Sequence, residues 1–248
     1  MRIFWISLWI IGLSLLLWYP LRWWPGDRFQ PVRMLNYFMP WLMVVLVPGL
    51  LVAGLARRIR LVATLALPTI LIGLNFAPLF LPRFNYALAS NTRLKVMSYN
   101  VLYRNHDLAA IVSIIRQEQP DILLLQEVTP TIADTLQGLQ PNDPANPLYF
   151  AYAPQIGQAI VSRYPLTSLE TAPTKGRTQK VRVHTPYGTI NVWNLHLAVP
   201  APWKRQYAQV SALIEDMQQV DGPLLIGGDF NTTYGSEVYG LINRNLQN

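Results

Sequence analysis

Long runs of apolar residues fill the first third of the chain. The segments 3–19, 34–56 and 61–82 contain no charged side chain. A transmembrane helix needs about 20 apolar residues, within a range of roughly 17–25, so each run is long enough to cross a bilayer. The pattern predicts that residues 1–90 form a membrane anchor with three transmembrane helices. The alternative, a cleaved signal peptide followed by buried core helices, fits poorly because residues 17–20 lack the small side chains of a cleavage site.

After residue 90 the pattern changes to short apolar runs separated by polar turns. Residues 94–100 and 121–127 are strand-type runs, and each ends in polar side chains. Between them, apolar residues recur at helical spacing over residues 108–119. A strand–helix–strand unit favours parallel pairing of its two strands. We therefore expect Asn100 and Glu127, at the ends of these strands, to emerge at the same edge of one sheet.

The rest of this region predicts a hairpin, a helix and one further strand. Residues 180–184 and 189–197 flank a Thr-Pro-Tyr-Gly turn, as in a β-hairpin. Residues 203–220 form an amphipathic helix pattern. Its apolar face is predicted to hold Tyr207, Val210, Leu213, Ile214 and Met217. The apolar run 223–226 then leads through two glycines to Asp229.

Charge is distributed unevenly along the chain and does not indicate nucleic-acid binding. The formal net charge is +7, but residues 1–90 hold eight arginines and one acid, whereas residues 91–248 hold twelve basic and twelve acidic side chains. The excess therefore lies in the anchor, where basic residues commonly flank membrane spans. The absence of cysteine excludes a disulfide framework, a thiolate nucleophile and a cysteine-based zinc site.

The arginines of the anchor predict its orientation. Arg57, Arg58 and Arg60 form a dense basic cluster in the short loop between the second and third runs. Basic loops tend to stay in the cytoplasm, so this cluster places the chain after Pro82 outside. Three arginines within residues 20–34 favour the opposite orientation. Because short, dense loops weigh more, we predict an integral membrane protein whose second region is extracytoplasmic.

Polar side chains follow several of the expected strands and suggest phosphate chemistry. Asp229 follows two glycines, and Asn231 lies two residues further on. A carboxylate there can orient a water molecule, while an amide can donate hydrogen bonds to a phosphoryl oxygen. The alternative is a Gly-Gly turn in which Asp229 caps a helix. His196 lies at the end of the second hairpin strand, and the match of Glu127 with Asn100 favours a site over an isolated surface charge.

Five motifs occur in an order that resembles one known family. They are Met97-Ser98-Tyr99-Asn100-Val101, Pro120-Asp121-Ile122 through Leu125-Gln126-Glu127-Val128, Ala159-Ile160-Val161-Ser162-Arg163, Asn194-Leu195-His196-Leu197 and Gly228-Asp229-Phe230-Asn231-Thr232. Together they resemble the endonuclease/exonuclease/phosphatase superfamily over residues 93–240, and the apolar leader resembles its bacterial membrane-anchored members. The resemblance implies an α/β fold for residues 91–248: a two-sheet sandwich flanked by helices, in four layers.

The resemblance also implies a role for each polar candidate. Glu127 would be the carboxylate ligand of Mg²⁺, or of Mn²⁺, with Asn100 beside it; Mg²⁺ usually uses only one or two carboxylates and keeps several waters. His196 and Asn231 would hydrogen-bond the phosphoryl oxygens as charge develops on them. Asp229 would orient or deprotonate the attacking water.

Substrate and chemical outcome stay open at this point. Arg163 and Arg177 are candidate substrate-binding residues, although the basic run around Arg177 is also typical of a solvated hairpin face. The substrate could be a nucleic acid, a phospholipid head group or a small phosphate ester, cleaved as a monoester or as a diester. The lipid bilayer is the other expected partner.

One departure from the family concerns its C-terminal Ser-Asp-His element. That element lies some tens of residues beyond the Asp-Phe-Asn stretch in the family, whereas the last histidine here is His196. We therefore expect a catalytic region that is incomplete at its C-terminus and lacks the closing strands of the second sheet. The leading interpretation is a membrane-anchored, Mg²⁺-dependent phosphoesterase. The alternative is a non-catalytic module that binds phosphate, nucleic acid or lipid head groups.

Overall fold

The computed structural model of the protein describes residues 1–24, 26–81, 93–138, 147–169, 177–198 and 203–246. The chain divides into two compact units. Residues 1–86 and 232–248 form the first, which we call the anchor unit, and residues 87–231 form the second, the sheet unit. The helix that follows the Asp-Phe-Asn stretch therefore clusters with the anchor unit.

Eight α-helices and eight β-strands occur in the described residues. The helices are α1 (Arg2–Leu21), α2 (Gln30–Phe38), α3 (Met43–Leu55), α4 (Ile59–Phe80), α5 (Leu108–Glu118), α6 (Pro130–Gln137), α7 (Trp203–Met217) and α8 (Glu237–Leu246). The strands are β1 (Val96–Asn100), β2 (Ile122–Gln126), β3 (Tyr149–Ala153), β4 (Gln158–Ser162), β5 (Leu166–Ser168), β6 (Thr178–Thr185), β7 (Gly188–His196) and β8 (Leu224–Asp229).

The anchor unit contains two helices, α1 and α4, that are long and apolar enough to cross a membrane. The predicted second span, residues 34–56, is not one straight helix: α2 and the helical segment Pro40–Leu55 meet at an angle of 61°. Pro40 explains the break, because proline lacks a backbone N–H and its ring clashes with the preceding helical turn. The pair counts as a third span only if it crosses as a bent unit.

A buried carboxylate joins the segments of the anchor unit. Asp27, the one acid among the first 90 residues, is 5% exposed. It accepts hydrogen bonds from Asn36 Nδ2 at 3.3 Å and from the backbone N–H of Glu237, the first residue of α8, at 2.7 Å. The negative charge stabilises the N-terminus of α8, where backbone N–H groups lack helical partners.

The sheet unit is built on two four-stranded sheets, with strand orders β1-β2-β4-β3 and β5-β6-β7-β8. β1 and β2 pair in parallel, as predicted, with Asn100 opposite Gln126 at the end of the ladder. The predicted hairpin is also confirmed, since β6 and β7 are antiparallel around the turn at residues 185–188. β8 pairs in parallel with β7 and sets Asp229 opposite His196.

Three apolar layers hold the sheet unit together. α5 and α6 cover the first sheet through contacts with Leu123 and Leu125 of β2. Ile122 and Leu124, on the other face of β2, pack against β6 and β7 of the second sheet. α7 covers the outer face of the second sheet through Leu213. This is the four-layer α/β sandwich that the resemblance implied. Because both faces of β2 are covered, the side chains on each of its faces are apolar.

A buried amide network bridges the two sheets. Asn194, which is fully buried, accepts a hydrogen bond from Gln126 Nε2 at 2.7 Å and donates to the carbonyl oxygens of Leu125 and Ala159. Buried polar groups that are all satisfied in this way favour one packing arrangement over others. The network fixes the sheet-to-sheet alignment directly behind Glu127 and His196.

Candidate active site

Two pairs of parallel strands deliver polar side chains to one edge of the sheet unit. Asn100 ends β1 and Glu127 follows β2, while His196 and Asp229 end β7 and β8. The carboxyl ends of parallel strands are where ligands gather in α/β sheets. The structure thus brings Asn100 and Glu127, which the sequence placed at one sheet edge, together with His196 and Asp229 from the second sheet.

The amide of Asn100 links the two carboxylates. Its Nδ2 atom donates to Glu127 Oε1 and to Asp229 Oδ2, both at 2.9 Å. Its oxygen accepts from the backbone N–H of Leu102 at 2.9 Å, which fixes the orientation of the amide. The two carboxylates accept hydrogen bonds from the same nitrogen, so they lie close together. They therefore repel each other unless a positive charge lies nearby.

His196 lies beside both carboxylates. Its Nε2 atom is 3.8 Å from Glu127 Oε1 and 4.0 Å from Asp229 Oδ2, and the residue is 8% exposed. The other oxygen of Glu127 accepts a hydrogen bond from the backbone N–H of Tyr103 at 3.0 Å. The carboxylate of Glu127 is therefore held from two sides, and the imidazole adjoins it without a direct hydrogen bond.

Asp229 and Asn231 are arranged by the turn that connects them. Asp229 Oδ1 accepts the backbone N–H of Asn231 at 2.9 Å, and Asn231 Nδ2 donates to the carbonyl oxygen of Leu197 at 2.9 Å. One amide hydrogen of Asn231 is thus used within the site. Asn231 has a positive φ of 44°, and Glu127 one of 61°. Non-glycine residues in this conformation are uncommon and cluster at functional sites.

Gln206 is a residue that the sequence reasoning missed. It lies on α7, is 1% exposed, and donates through Nε2 to the carbonyl oxygens of Asn231 at 2.8 Å and Phe230 at 3.3 Å. The buried face of α7 holds Gln206, Gln209, Val210 and Leu213, so it is rotated from the predicted face and includes two polar side chains. A glutamine at helical spacing among buried apolar residues was the signal that could have revealed this contact to the Asp-Phe-Asn turn.

A cleft of about 610 Å³ opens beside these groups. Its lining includes Glu127, His196 and Asn231, together with Tyr103 and two arginines, Arg177 and Arg205. Its volume lies within the range of roughly 300–1,000 Å³ that is typical of ligand sites. The cleft therefore gives a small anionic group direct access to the clustered polar side chains.

The structure does not bring Arg163 to this cleft. β4 runs antiparallel to β2, with Ser162 opposite Ile122, so Arg163 emerges where β2 begins rather than where it ends. There it pairs with Asp121, at 3.9 Å, and with the carbonyl oxygen of Gln119. The expected substrate-binding role of Arg163 is therefore wrong for this site, whereas Arg177 does line the cleft.

Glu127 has the chemistry of a magnesium ligand, and Asn100 fits that role less directly. No three His, Cys, Asp or Glu side chains within the described ranges are arranged to hold a metal ion, but Mg²⁺ usually needs only one or two carboxylates with water. The side chain of Glu127 is 20% exposed, and each of its oxygens accepts one hydrogen bond and keeps a lone pair. Asn100 turns its N–H group, not its oxygen, towards the carboxylates, so here it orients them.

Comparison with known proteins identifies the family. The sequence pattern of the Endonuclease/Exonuclease/phosphatase family matches residues 97–247, more than half of the chain. A comparison with curated proteins gives no match.

Several solved structures resemble the chain. A β-hairpin deletion mutant of beta toxin from Staphylococcus aureus is 18% identical, with 63% of this chain and 73% of that chain covered and a TM-score of 0.49. The human nocturnin catalytic domain with bound sulfate is 22% identical, with 59% and 68% covered and a TM-score of 0.45. A humanized D. rerio TDP2 is 16% identical, with 56% and 62% covered and a TM-score of 0.45. The chain thus spans less than two thirds of the TDP2 structure.

The family match and the four-layer sandwich agree with each other. The matched segment begins in β1 and contains each of the polar residues that meet at the cleft. From these observations, the chain belongs to the Endonuclease/Exonuclease/phosphatase family.

Proposed function

We propose that this protein is a membrane-anchored, Mg²⁺-dependent phosphoesterase whose active site is the cleft beside Glu127. Members of the family are generally metal-dependent hydrolases of phosphodiester bonds. The observation that carries the proposal is the single amide of Asn100 bonded to carboxylates from both sheets. Such a concentration of negative charge at a cleft favours a divalent cation.

Glu127 would hold the cation, and Asn100 would keep its carboxylate in place. Bound there, Mg²⁺ would act as a Lewis acid on a phosphoryl oxygen and as a template for the substrate. Tyr103 contributes through its backbone N–H, which fixes the second oxygen of Glu127. A ligand held by two hydrogen bonds needs little reorganisation when the cation arrives.

Asp229 is the candidate for orienting the attacking water. Both of its oxygens already accept hydrogen bonds, from Asn231 N and Asn100 Nδ2, so its remaining lone pairs point in defined directions. The water would form the new P–O bond as the ester P–O bond breaks, and Asp229 would accept the proton of the water. His196 would donate to a phosphoryl oxygen, which gains charge in the transition state.

We expect the full chain, purified in detergent, to hydrolyse bis(p-nitrophenyl) phosphate or p-nitrophenyl phosphate with Mg²⁺ but not with EDTA. Asp229→Asn keeps the shape of the side chain but removes the acceptor charge. It should lower the rate by about 10²–10⁴-fold, the usual contribution of a general acid or base. The measurement is nitrophenolate release over time.

Asp107→Asn is the matched control. Asp107 caps α5 by accepting the backbone N–H of Ala110 at 2.9 Å, a task that asparagine performs equally well, so its rate should not change. Full activity in Asp229→Asn would contradict the role of Asp229. Binding of Mg²⁺ and phosphate without turnover by the unmodified chain would favour the non-catalytic binding module instead.

We also propose that the anchor unit spans the bilayer and leaves the catalytic region outside the cytoplasm. α1 and α4 support the first part by length and composition, and the cluster Arg57, Arg58 and Arg60 supports the second. The full chain should stay in membranes washed with sodium carbonate, and protease added to spheroplasts should cleave the sheet unit. Release by carbonate would contradict the anchor, and protection from protease would reverse the orientation.

A further inference from the structure

The turn after β8 holds Asn231 in an uncommon backbone conformation. Its φ of 44° lies in the left-handed region, which asparagine tolerates better than most residues, although the right-handed and extended regions stay open to it. Such a conformation persists only where surrounding contacts fix it. Asn231 donates through its side chain to the carbonyl oxygen of Leu197 and through its backbone N–H to Asp229 Oδ1. The directions of both groups therefore depend on the φ and ψ of this one residue.

Gln206 makes the contacts that fix this conformation. Its Nε2 atom donates to the carbonyl oxygens of Phe230 at 3.3 Å and of Asn231 at 2.8 Å. These two carbonyls belong to the peptide groups on either side of the Cα atom of Asn231. Because peptide groups are planar, the φ and ψ of Asn231 are the only soft torsions between them. One nitrogen bonded to both oxygens therefore restrains φ and ψ together.

The first of these peptide groups also orients the carboxylate of Asp229. It contains both the carbonyl oxygen of Phe230, which accepts from Gln206, and the N–H of Asn231, which donates to Asp229 Oδ1 at 2.9 Å. The other carboxylate oxygen, Asp229 Oδ2, accepts from Asn100. Gln206 thus sets the direction of one of the two hydrogen bonds that orient Asp229.

The helix that carries Gln206 is itself fixed to the second sheet. On the same buried face of α7, Gln209 accepts the backbone N–H of Ala198, in the segment after β7, at 2.9 Å. Near the C-terminal end of α7, Asp216 pairs with Lys180 of β6 at 2.6 Å. Gln206 is buried, so water has little access to compete for its hydrogen bonds. Its amide is therefore held at a fixed place relative to the ends of β7 and β8.

We propose that Gln206 is a positioning residue for the phosphoesterase reaction. It holds Asn231 in the left-handed conformation and thereby sets the directions in which Asp229 meets the attacking water and Asn231 meets the phosphoryl oxygen. The inference rests on the proposed function and adds a residue that does not line the cleft. Because Gln206 acts through the backbone of the turn, its loss affects turnover more than binding of the substrate.

Gln206→Met tests this role, because methionine keeps the length and apolar bulk of the side chain and removes both donors. With Mg²⁺ and whichever nitrophenyl ester the unmodified chain hydrolyses, kcat should fall by about 10–100-fold, since a misplacement of about 1 Å can cost 10²-fold. KM should change by less than about 3-fold. Hydrogen–deuterium exchange in peptides covering residues 229–232 should become at least about 10-fold faster, because two hydrogen bonds that restrain the turn are lost.

Gln179→Met is the matched control. Gln179 is also buried, and its Nε2 atom donates to the carbonyl oxygen of Ala151 on β3 at 2.9 Å; neither residue lines the cleft. This variant should keep the kcat of the unmodified chain and the exchange rate of residues 229–232. The melting temperature of each variant in detergent shows whether it is folded. If Gln206→Met does not fold, Gln206→Glu replaces it under the same expectations, since glutamate can make at most one of the two hydrogen bonds.

Faster exchange together with a lower kcat at unchanged KM, seen in the Gln206 variant and not in Gln179→Met, supports the inference. Unchanged exchange, faster exchange with unchanged kcat, or an equal loss of kcat in Gln179→Met would overturn it. The exchange measurement does not depend on turnover, so the two claims stay apart. An unmodified chain that hydrolyses neither ester sinks the proposed function, whereas an active chain whose turn is indifferent to Gln206 sinks only the positioning role.

Discussion

Replacing Glu127 with glutamine is expected to abolish Mg²⁺-dependent hydrolysis and to weaken binding of the metal. The substitution keeps the size of the side chain and removes the charge that would hold the cation. A loss of at least about 10²–10³-fold in rate is expected, the range seen when one electrostatic stabiliser is removed. The measurements are the rate of phosphoester hydrolysis and a Mn²⁺ titration of the full chain by calorimetry.

Glu118→Gln is the matched control for this variant. Glu118 lies at the end of α5, pairs with Lys95 at 2.9 Å and is about half exposed, and such surface pairs contribute little. Its metal titration and its rate should equal those of the unmodified chain. If Glu127→Gln bound Mn²⁺ with unchanged affinity and kept its rate, the assignment of the metal to this carboxylate would be wrong.

Replacing Gly228 with alanine is expected to prevent the sheet unit from folding stably. A Cβ atom at this position would overlap the backbone of Leu195 on the neighbouring strand, and the φ of Gly228 is +136°. The backbone cannot move aside as a side chain can. The free energy of unfolding should therefore fall by more than about 4 kcal/mol, a large part of the roughly 5–15 kcal/mol that stabilises a typical domain. The melting temperature of the full chain in detergent would report the loss.

Gly188→Ala separates the clash from the backbone strain. Gly188 has a similar φ of +124° in the hairpin turn, but no atom lies within 4 Å of where its Cβ would be. The loss of unfolding free energy in Gly188→Ala should reflect backbone strain alone, on the order of 1–3 kcal/mol. Equal melting temperatures for the two variants would mean that close approach to Leu195 does not decide the role of Gly228.

The sequence was sufficient to predict the parallel strand pair that begins the site. The order strand, helix, strand over residues 94–127 fixes the direction of β1 and β2, and the polar residues after each strand then share an edge. The hydrogen bond between Asp229 and Asn100 could not be predicted in this way. These residues belong to separate sheets, and only the packing between the sheets, through Asn194 and Gln126, sets their distance.

Arg163 shows where local pattern reasoning fails. Arg163 closes the motif Ala159-Ile160-Val161-Ser162-Arg163, whose first four residues lie on β4, and the direction of β4 depends on its neighbours in the sheet. β3 and β4 form an antiparallel pair, so β4 returns towards the start of β2 and carries Arg163 to the opposite edge. β3 was not predicted from the sequence, so neither the direction of β4 nor the sheet edge at which Arg163 lies could be predicted.

Gln206 and Pro40 show two further limits of the sequence pattern. The helix pattern of α7 was clear, but the choice of buried face favoured apolar residues over Gln206, which donates to the carbonyl oxygens of Phe230 and Asn231. In the anchor unit, hydrophobicity alone predicted that residues 34–56 form one span, although Pro40 divides them between two helices. In both cases a requirement of backbone hydrogen bonding outweighed side-chain hydrophobicity.

The most direct test of the account is the position of a bound metal ion. Anomalous diffraction from crystals of the full chain soaked in Mn²⁺ should reveal one strong peak within about 2.0–2.3 Å of a carboxylate oxygen of Glu127, at the distance expected for a hard divalent cation. No peak beside Glu127 at saturating Mn²⁺, or a peak only at a site remote from Asn100 and Asp229, would contradict the proposed phosphoesterase site.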